Sequence, residues 1–223
     1  MPRTQPAESS MTARTPVRTA GCNRLSRLPR DEIAARLARP AVAPRPEDKH
    51  AAALIPGARM MLAAVLVPLI PRDGELNVLL TQRTAHLNDH PSQISFPGGR
   101  VEGGDENRIE TALREAEEEI GLARNRVDVI GALPDYDMPS GFRISPVVGW
   151  IEPPFAMKLD PFEVESAFEV PLSFVFDPDN HQRRSYYFNE RHRDYLAMPY
   201  QGRYIWGATA GMLYSLYRQL MAD

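Results

Sequence analysis

GGRVEGGDENRIETALREAEEEIGL, residues 98–122, is the stretch on which the reading of this chain turns. Ile109, Ala112, Leu113, Ala116 and Ile120 recur at helical spacing, Asp105 can cap the run and Gly121 can stop it, so the pattern predicts a helix over Asp105 to Gly121. Between Glu102 and Glu119 stand eight acids but only two bases, Arg108 and Arg114. At about 100° per residue, Glu115, Glu118 and Glu119 fall within an arc of roughly 100°, next to the apolar face. Like charges at these spacings repel by a few tenths of a kcal/mol per pair. A divalent cation would relieve the repulsion, because Mg²⁺ and Mn²⁺ take hard carboxylate oxygens and share them with waters and substrate phosphates. The plainer alternative is a solvated acidic helix face.

Upstream, Phe96-Pro97-Gly98-Gly99 follows a strand-like Gln93 to Phe96 and leads into the helix. Gly98 and Gly99 permit backbone geometry that a side chain would block, which can let a diphosphate approach closely; an ordinary strand-to-helix turn also satisfies the pattern. Further out, Met61 to Leu69 and Leu76 to Thr81 are apolar runs separated by Arg72-Asp73-Gly74, the pattern of two strands and a turn, dense enough for sheet buried on both faces. Strand-like segments follow at Val127 to Ala132, Ile144 to Ile151, Phe168 to Val170 and Ser185 to Phe188. Trp206 to Met221 carries Met212, Leu213, Leu216, Tyr217 and Leu220 at helical spacing. The expected body is mixed α/β, with one central acidic helix and one terminal helix. No repeat recurs at a fixed period.

The first 48 residues read differently. Arg, Ser, Thr and Pro dominate before Pro29, as in a mobile tail; Asp31 to Leu37 can form a short helix ended by Pro40, and Pro44 and Pro46 continue a linker. We therefore expect residues 1–48 as a tail, with a short helix near 31–38, and residues 49–223 as the folded domain. Glu8 and the tail prolines fit a transit peptide poorly. Of the 223 residues 43% are hydrophobic, enough for a core, and no run approaches the roughly 20 apolar residues of a membrane span. Lone Cys22 supports neither an internal disulfide nor a cysteine zinc site, so a cytoplasmic setting is expected. The net charge of −3 lacks the basic surplus of a nucleic-acid binder, and no membrane partner is expected.

Residues 98–122 closely resemble the signature of the Nudix hydrolases, G-x5-E-x7-R-E-U-x-E-E-x-G-U with U aliphatic. Arg114-Glu115-Ala116-Glu117-Glu118-Glu119-Ile120-Gly121-Leu122 matches its second half. The first half departs by one residue: counted from Gly99 the early acid is Asp105, counted back from Arg114 it is Glu106. The resemblance implies an α/β/α sandwich with a mixed sheet and a loop-helix-loop motif. It further implies that Glu115, Glu118 and Glu119 bind Mg²⁺ or Mn²⁺, and that Arg114 with Asp105 or Glu106 braces the motif.

Leu79-Leu80-Thr81-Gln82-Arg83 and Phe96-Pro97-Gly98-Gly99 also resemble the LLTxR…FPGG pattern of the coenzyme A pyrophosphatase subgroup. Asn88 and Ser92 stand where the subgroup usually has Arg and Gly, and Thr84 replaces Ser or Ala. Further likeness lies in Leu133 to Tyr136 with Gly141-Phe142, in Phe168 to Leu172 and in Ile205 to Ala210, so that it spans roughly Ala52 to Leu220. The implied reaction is hydrolysis of coenzyme A to 4′-phosphopantetheine and adenosine 3′,5′-bisphosphate, with ADP-ribose or another nucleoside diphosphate derivative as the alternative substrate and a non-catalytic nucleotide-sensing module as a third reading. Glu118 is the candidate base, Glu163 or Glu165 a later acid that can join the site, and Arg83, Gly98 and Gly99 the candidate substrate contacts. His86 and His90, four apart, lack a metal motif and read as loop histidines near substrate. Tyr186, Tyr187 and Tyr195 can stack on adenine or fill the core. The oligomeric state is left open.

Overall fold

The computed structural model describes residues 26–42, 60–87, 89–138, 140–188 and 191–222, and of Tyr186, Phe188 and residues 191–193 the backbone alone. Cys22, Pro44, Pro46, Asn88 and most of the expected tail lie outside the described residues, as does the Tyr186 side chain.

Strand β1 (Met61–Arg72) is the axis of the fold. It forms a hairpin with β2 (Glu75–Arg83), in which Arg72 opposes Glu75 and only Asp73 and Gly74 make the turn. Their φ values, 47° and 78°, are both positive, as a two-residue turn matched to the strand twist requires, and Asp-Gly supplies them cheaply. Arg72, expected in the turn, therefore belongs to the strand. On its other edge β1 runs parallel to β7 (Phe142–Trp150), which pairs antiparallel with β5 (Asp128–Ala132) and β6 (Tyr136–Asp137). On β2 lie β3 (Ile94–Ser95) and β8 (Val164–Pro171). One parallel pair among antiparallel ones makes the sheet mixed.

Both faces of this sheet are covered, as the unbroken apolar runs require. Leu66, Ile70 and Leu79 point to one face and meet Ala112, Leu113, Ala116 and Ile120 of helix α2 (Arg108–Ile120). Val65, Val67, Leu69, Val78 and Leu80 point to the other, where Met212, Leu213, Leu216 and Leu220 of helix α4 (Gly207–Met221) complete a second core. Helix α1 (Arg30–Leu37) buries Ile33 and Leu37 in that second core, and Gln219 of α4 donates to the Arg36 carbonyl at 3.0 Å. Three strands, β9 (Gln182–Phe188), β10 (Arg191–Tyr200) and β11 (Arg203–Trp206), form a separate sheet leading into α4. The short helix α3 (Leu172–Val175) follows β8. No helix among the described residues is long and apolar enough to cross a membrane.

Several segments were not foreseen from periodicity. Gly98 and Gly99, expected in a loop, lie in β4 (Gly98–Arg100), which pairs antiparallel with β1. A Cβ at Gly98 would stand 2.6 Å from the Val65 Cα and press on the Ala64 carbonyl, so the glycine is what lets this strand lie on β1. Strands β10 and β11 carry polar residues and Pro199, and their pairing comes from a hairpin turn at Gln201 and Gly202, both with positive φ.

Candidate active site

Helix α2 begins three residues later than its sequence suggested. Asn107, not Asp105, is the N-cap: its side chain accepts from the Ile109 and Glu110 amides at 2.8 and 3.1 Å. Asn107 followed by Glu110 at the third position is a capping-box spacing, and that signal in the sequence could have located it. Asp105 is occupied elsewhere. The Arg114 guanidinium donates to both its oxygens, Nε to Oδ1 at 3.0 Å and Nη2 to Oδ2 at 3.1 Å, and the Glu102 amide and Thr111 hydroxyl add two more bonds. Hydrogen bonding to Arg114 holds the Asp105 carboxyl well below the usual carboxylate range. Glu106 lines the adjoining cleft with Glu102, Glu110 and Arg124 but makes no bond to Arg114. Of the two early acids, the brace is made by Asp105.

The far end of α2 closes on Gly121, whose φ of 65° is left-handed and whose amide bonds back to the Glu117 carbonyl. Between these fixed ends the three singled-out glutamates differ sharply. Glu119 is buried, with one oxygen accepting from the Gly98 amide at 3.2 Å and the other 3.7 Å from Nη1 of Arg83, the last residue of β2. Burial pushes its carboxyl up to about 8, with Glu115 and Glu163 adding repulsion, against the opposing pull of Arg83 and the Gly98 amide. Glu115 is largely buried and raised for the same first reason, with Glu118 and Glu163 contributing and Arg114 opposing. Glu118 is 59% exposed. Nη1 of Arg114 lies 3.0 Å from an oxygen of Glu115 and 3.0 Å from one of Glu118, so a single guanidinium ties the brace to both acids.

The glycines act on this cluster from below. The Gly98 amide is spent on Glu119, and a Cβ at Gly99 would come within 2.5 Å of the Glu115 carboxyl carbon. Besides their expected part of letting a diphosphate approach closely, the two glycines thus place two carboxylates. Of the later acids, Glu163 acts on both Glu115 and Glu119, whereas Glu165 is an exposed residue of β8. His86 and His90 are exposed on the loop after β2, and His86 packs against Phe162. Tyr195 is buried, its hydroxyl on Tyr204 and its ring on Trp206, so it belongs to the core; Tyr187 is exposed on β9.

Four carboxylates on a helix face and a neighbouring loop, with no nitrogen or sulfur donor among them, form an oxygen-only set suited to Mg²⁺ or Mn²⁺. The buried, charge-crowded Glu119 is a group whose ionised form a cation would favour. In the present rotamers Glu115 and Glu118 lean on Arg114, and among the described residues no three acidic, histidine or cysteine side chains already converge as a metal cage.

The NUDIX domain model matches residues 60–191, well over half of the chain. The chain belongs to the Nudix family. Its Nudix relatives include a protein named Uncharacterized Nudix hydrolase NudL from Enterobacter sp. (strain 638), 40% identical over 163 residues that span 71% of this chain and 82% of that one. A protein of the same name from Escherichia coli (strain K12) is 40% identical over 159 residues, again 71% and 82% of the two chains. Among solved structures, the Nudix hydrolase RenU of M. smegmatis superposes with a TM-score of 0.49 at 18% identity, over 71% of this chain and 84% of that one. As a Nudix enzyme this chain is a hydrolase of the pyrophosphatase class, a family that works with divalent cations.

If Asp105 braces the motif as its bonds indicate, its substitution and that of Glu106 will part company. Asp105→Ala is expected to lower kcat about tenfold or more, in the range found when groups supporting metal ligands are removed, and Glu106→Ala to stay near wild type. Steady-state turnover at saturating cation checks this. Equal losses in the two variants would mean that the brace is not confined to Asp105.

Proposed function

We propose that this Nudix hydrolase cleaves the diphosphate bond of coenzyme A, giving 4′-phosphopantetheine and adenosine 3′,5′-bisphosphate. The observation that carries this reading is the meeting of the two subgroup motifs: Arg83 ends Leu79-Leu80-Thr81-Gln82-Arg83, Gly98 belongs to Phe96-Pro97-Gly98-Gly99, and both contact Glu119. The motifs are separated in sequence but serve one carboxylate.

Glu115, Glu118 and Glu119 would hold the divalent cation. When bound, it supplies charge neutralisation at the diphosphate oxygens and a lowered pKa for an attacking water. Arg83, only partly covered, turns its remaining N–H groups to a phosphate oxygen and fixes the diphosphate against Glu119. Asp105 and Arg114 keep the helix face in place. Glu118, the most solvent-open of the three glutamates, takes the proton of the water as its oxygen attacks phosphorus and the bridging P–O bond breaks. Glu163, whose charge acts on both Glu115 and Glu119, supports the same set.

The test is to incubate the protein separately with coenzyme A, ADP-ribose and NADH, each with Mg²⁺, Mn²⁺ or EDTA, and to identify products by mass. Adenosine 3′,5′-bisphosphate and 4′-phosphopantetheine are expected only with cation, with coenzyme A clearly preferred. Preferred cleavage of ADP-ribose instead would favour the second reading, which the altered Asn88 and Ser92 of the intermotif link keep open.

A further inference from the structure

Phe162 combines a fixed backbone with a free ring. The residue is 63% exposed, yet its amide donates to Asp160 Oδ1 at 2.9 Å and its carbonyl accepts from the Thr84 hydroxyl at 2.7 Å. Thr84 is itself buried, and its amide donates to the Glu163 carbonyl at 3.0 Å. On the other side the same segment is strapped to the end of α2, with the Lys158 amide on the Ile120 carbonyl and the Asp160 amide on the Glu119 carbonyl, both at 2.9 Å. The backbone that carries the ring is therefore held between the strand end that carries Arg83 and the helix end that carries Glu119. Exposing a large aromatic ring forfeits burial, and an exposed ring on a fixed backbone next to Glu163 and Arg83's neighbour Thr84 is suited to receiving another flat, apolar surface. The imidazole of His86 meets its edge, with ring centroids 4.8 Å apart and planes at 60°.

We propose that Phe162, edged by His86, is the platform on which the planar base of the nucleotide substrate stacks. The inference rests on the diphosphatase reading and extends it to the substrate's other end. In a nucleoside diphosphate derivative the base lies one sugar away from the diphosphate; Phe162 lies one residue from Glu163 and one hydrogen bond from Thr84, the neighbour of Arg83. A flat π-surface gives affinity without reading the base edge, so the contact favours nucleotides as a class over the pantetheine arm.

Two measurements test it. In Phe162→Trp, adenosine 3′,5′-bisphosphate should quench the new tryptophan's emission saturably, while inorganic diphosphate and 4′-phosphopantetheine should not; Trp150 and Trp206 give the background in the parent protein. In Phe162→Ala, KM for coenzyme A should rise about tenfold with kcat little changed, the effect expected from loss of one base-aromatic stack, and Phe162→Tyr should restore it. An unchanged KM in Phe162→Ala overturns the proposal, as does quenching by 4′-phosphopantetheine but not by the bisphosphate. Should the parent protein cleave none of the diphosphates, the diphosphatase reading fails, and bisphosphate quenching in Phe162→Trp still decides for or against the stacking platform.

Discussion

Glu119→Gln should lose at least about 100-fold in turnover at saturating Mg²⁺, the scale on which one preorganised electrostatic group contributes, and at the same time become more stable than the parent in EDTA at pH 8. The two effects have one cause. Glu119 is buried, and its carboxyl is pushed from 4.5 up to about 8, chiefly by desolvation. The folded state thus binds this proton more tightly than the unfolded chain does. The stability contributed by the protonated form is fully present below about pH 4.5 and is lost as pH rises from there through about 8. The whole loss is roughly 3–5 kcal/mol. Glutamine is neutral at every pH, retains an oxygen for the Gly98 amide and does not suffer that loss. Thermal denaturation in EDTA should show the variant and the parent close together at pH 5 and well separated at pH 8. Mg²⁺ should then raise the midpoint of the parent but not of the variant. A variant that keeps full turnover, or one no more stable than the parent at pH 8, would remove Glu119 from the centre of the site.

Gly98→Ala is expected to have the largest structural effect of any single-methyl substitution in the motif. The added Cβ would lie 2.6 Å from the Val65 Cα, a backbone atom in the middle of β1 that no rotamer change can move. Overpacking of this kind costs about 1–3 kcal/mol. For a chain of this size that lowers the unfolding midpoint by roughly 2–12 °C. If β4 withdraws from β1 to make room, the Gly98 amide leaves Glu119 and the buried carboxylate loses one of the two contacts that favour its ionised form. Activity should therefore fall further than the stability loss alone explains, even at temperatures where the variant is folded. As a comparison, Gly103→Ala should leave both quantities near the parent, because a Cβ there meets nothing within 4 Å. Denaturation curves and initial rates for the pair make the test, and equal behaviour of the two variants would count against the close-packing account of Gly98.

The design of the site is an economy of contacts around one helix face. Arg114 binds Asp105 through its fork while Nη1 reaches Glu115 and Glu118, so one side chain holds the loop before the helix and sets two of the three acidic side chains. Replacing it with lysine would keep the charge and lose the fork, because an ammonium carries its three donors on one atom and cannot grip both Asp105 oxygens while reaching Glu115 and Glu118.

Much of this was legible in residues 98–122 alone, because a helix writes its faces locally: the 3.6-residue recurrence of Ile109, Leu113, Ala116 and Ile120 fixed which side packs and hence which side presents Glu115 and Glu119. The hairpin of β1 and β2 was legible for a similar reason, since Asp73-Gly74 carries its own turn chemistry. The cap was misplaced by two residues because Asp105 and Asn107 are both good caps, and only the fold shows that Arg114 has claimed Asp105. Strand β4 escaped notice because paired glycines read as a loop wherever no neighbouring strand is known. What the tertiary structure alone decided is the chemistry of Glu119. Helical spacing puts it on one face with Glu115 and Glu118 but does not say which of the three is buried; its amide partner Gly98, its counter-ion Arg83 and the nearby Glu163 come from three other segments of the chain. Carboxylate pKa values are set by desolvation and by charges brought together in space, and those quantities exist only once the sheet has closed over the helix.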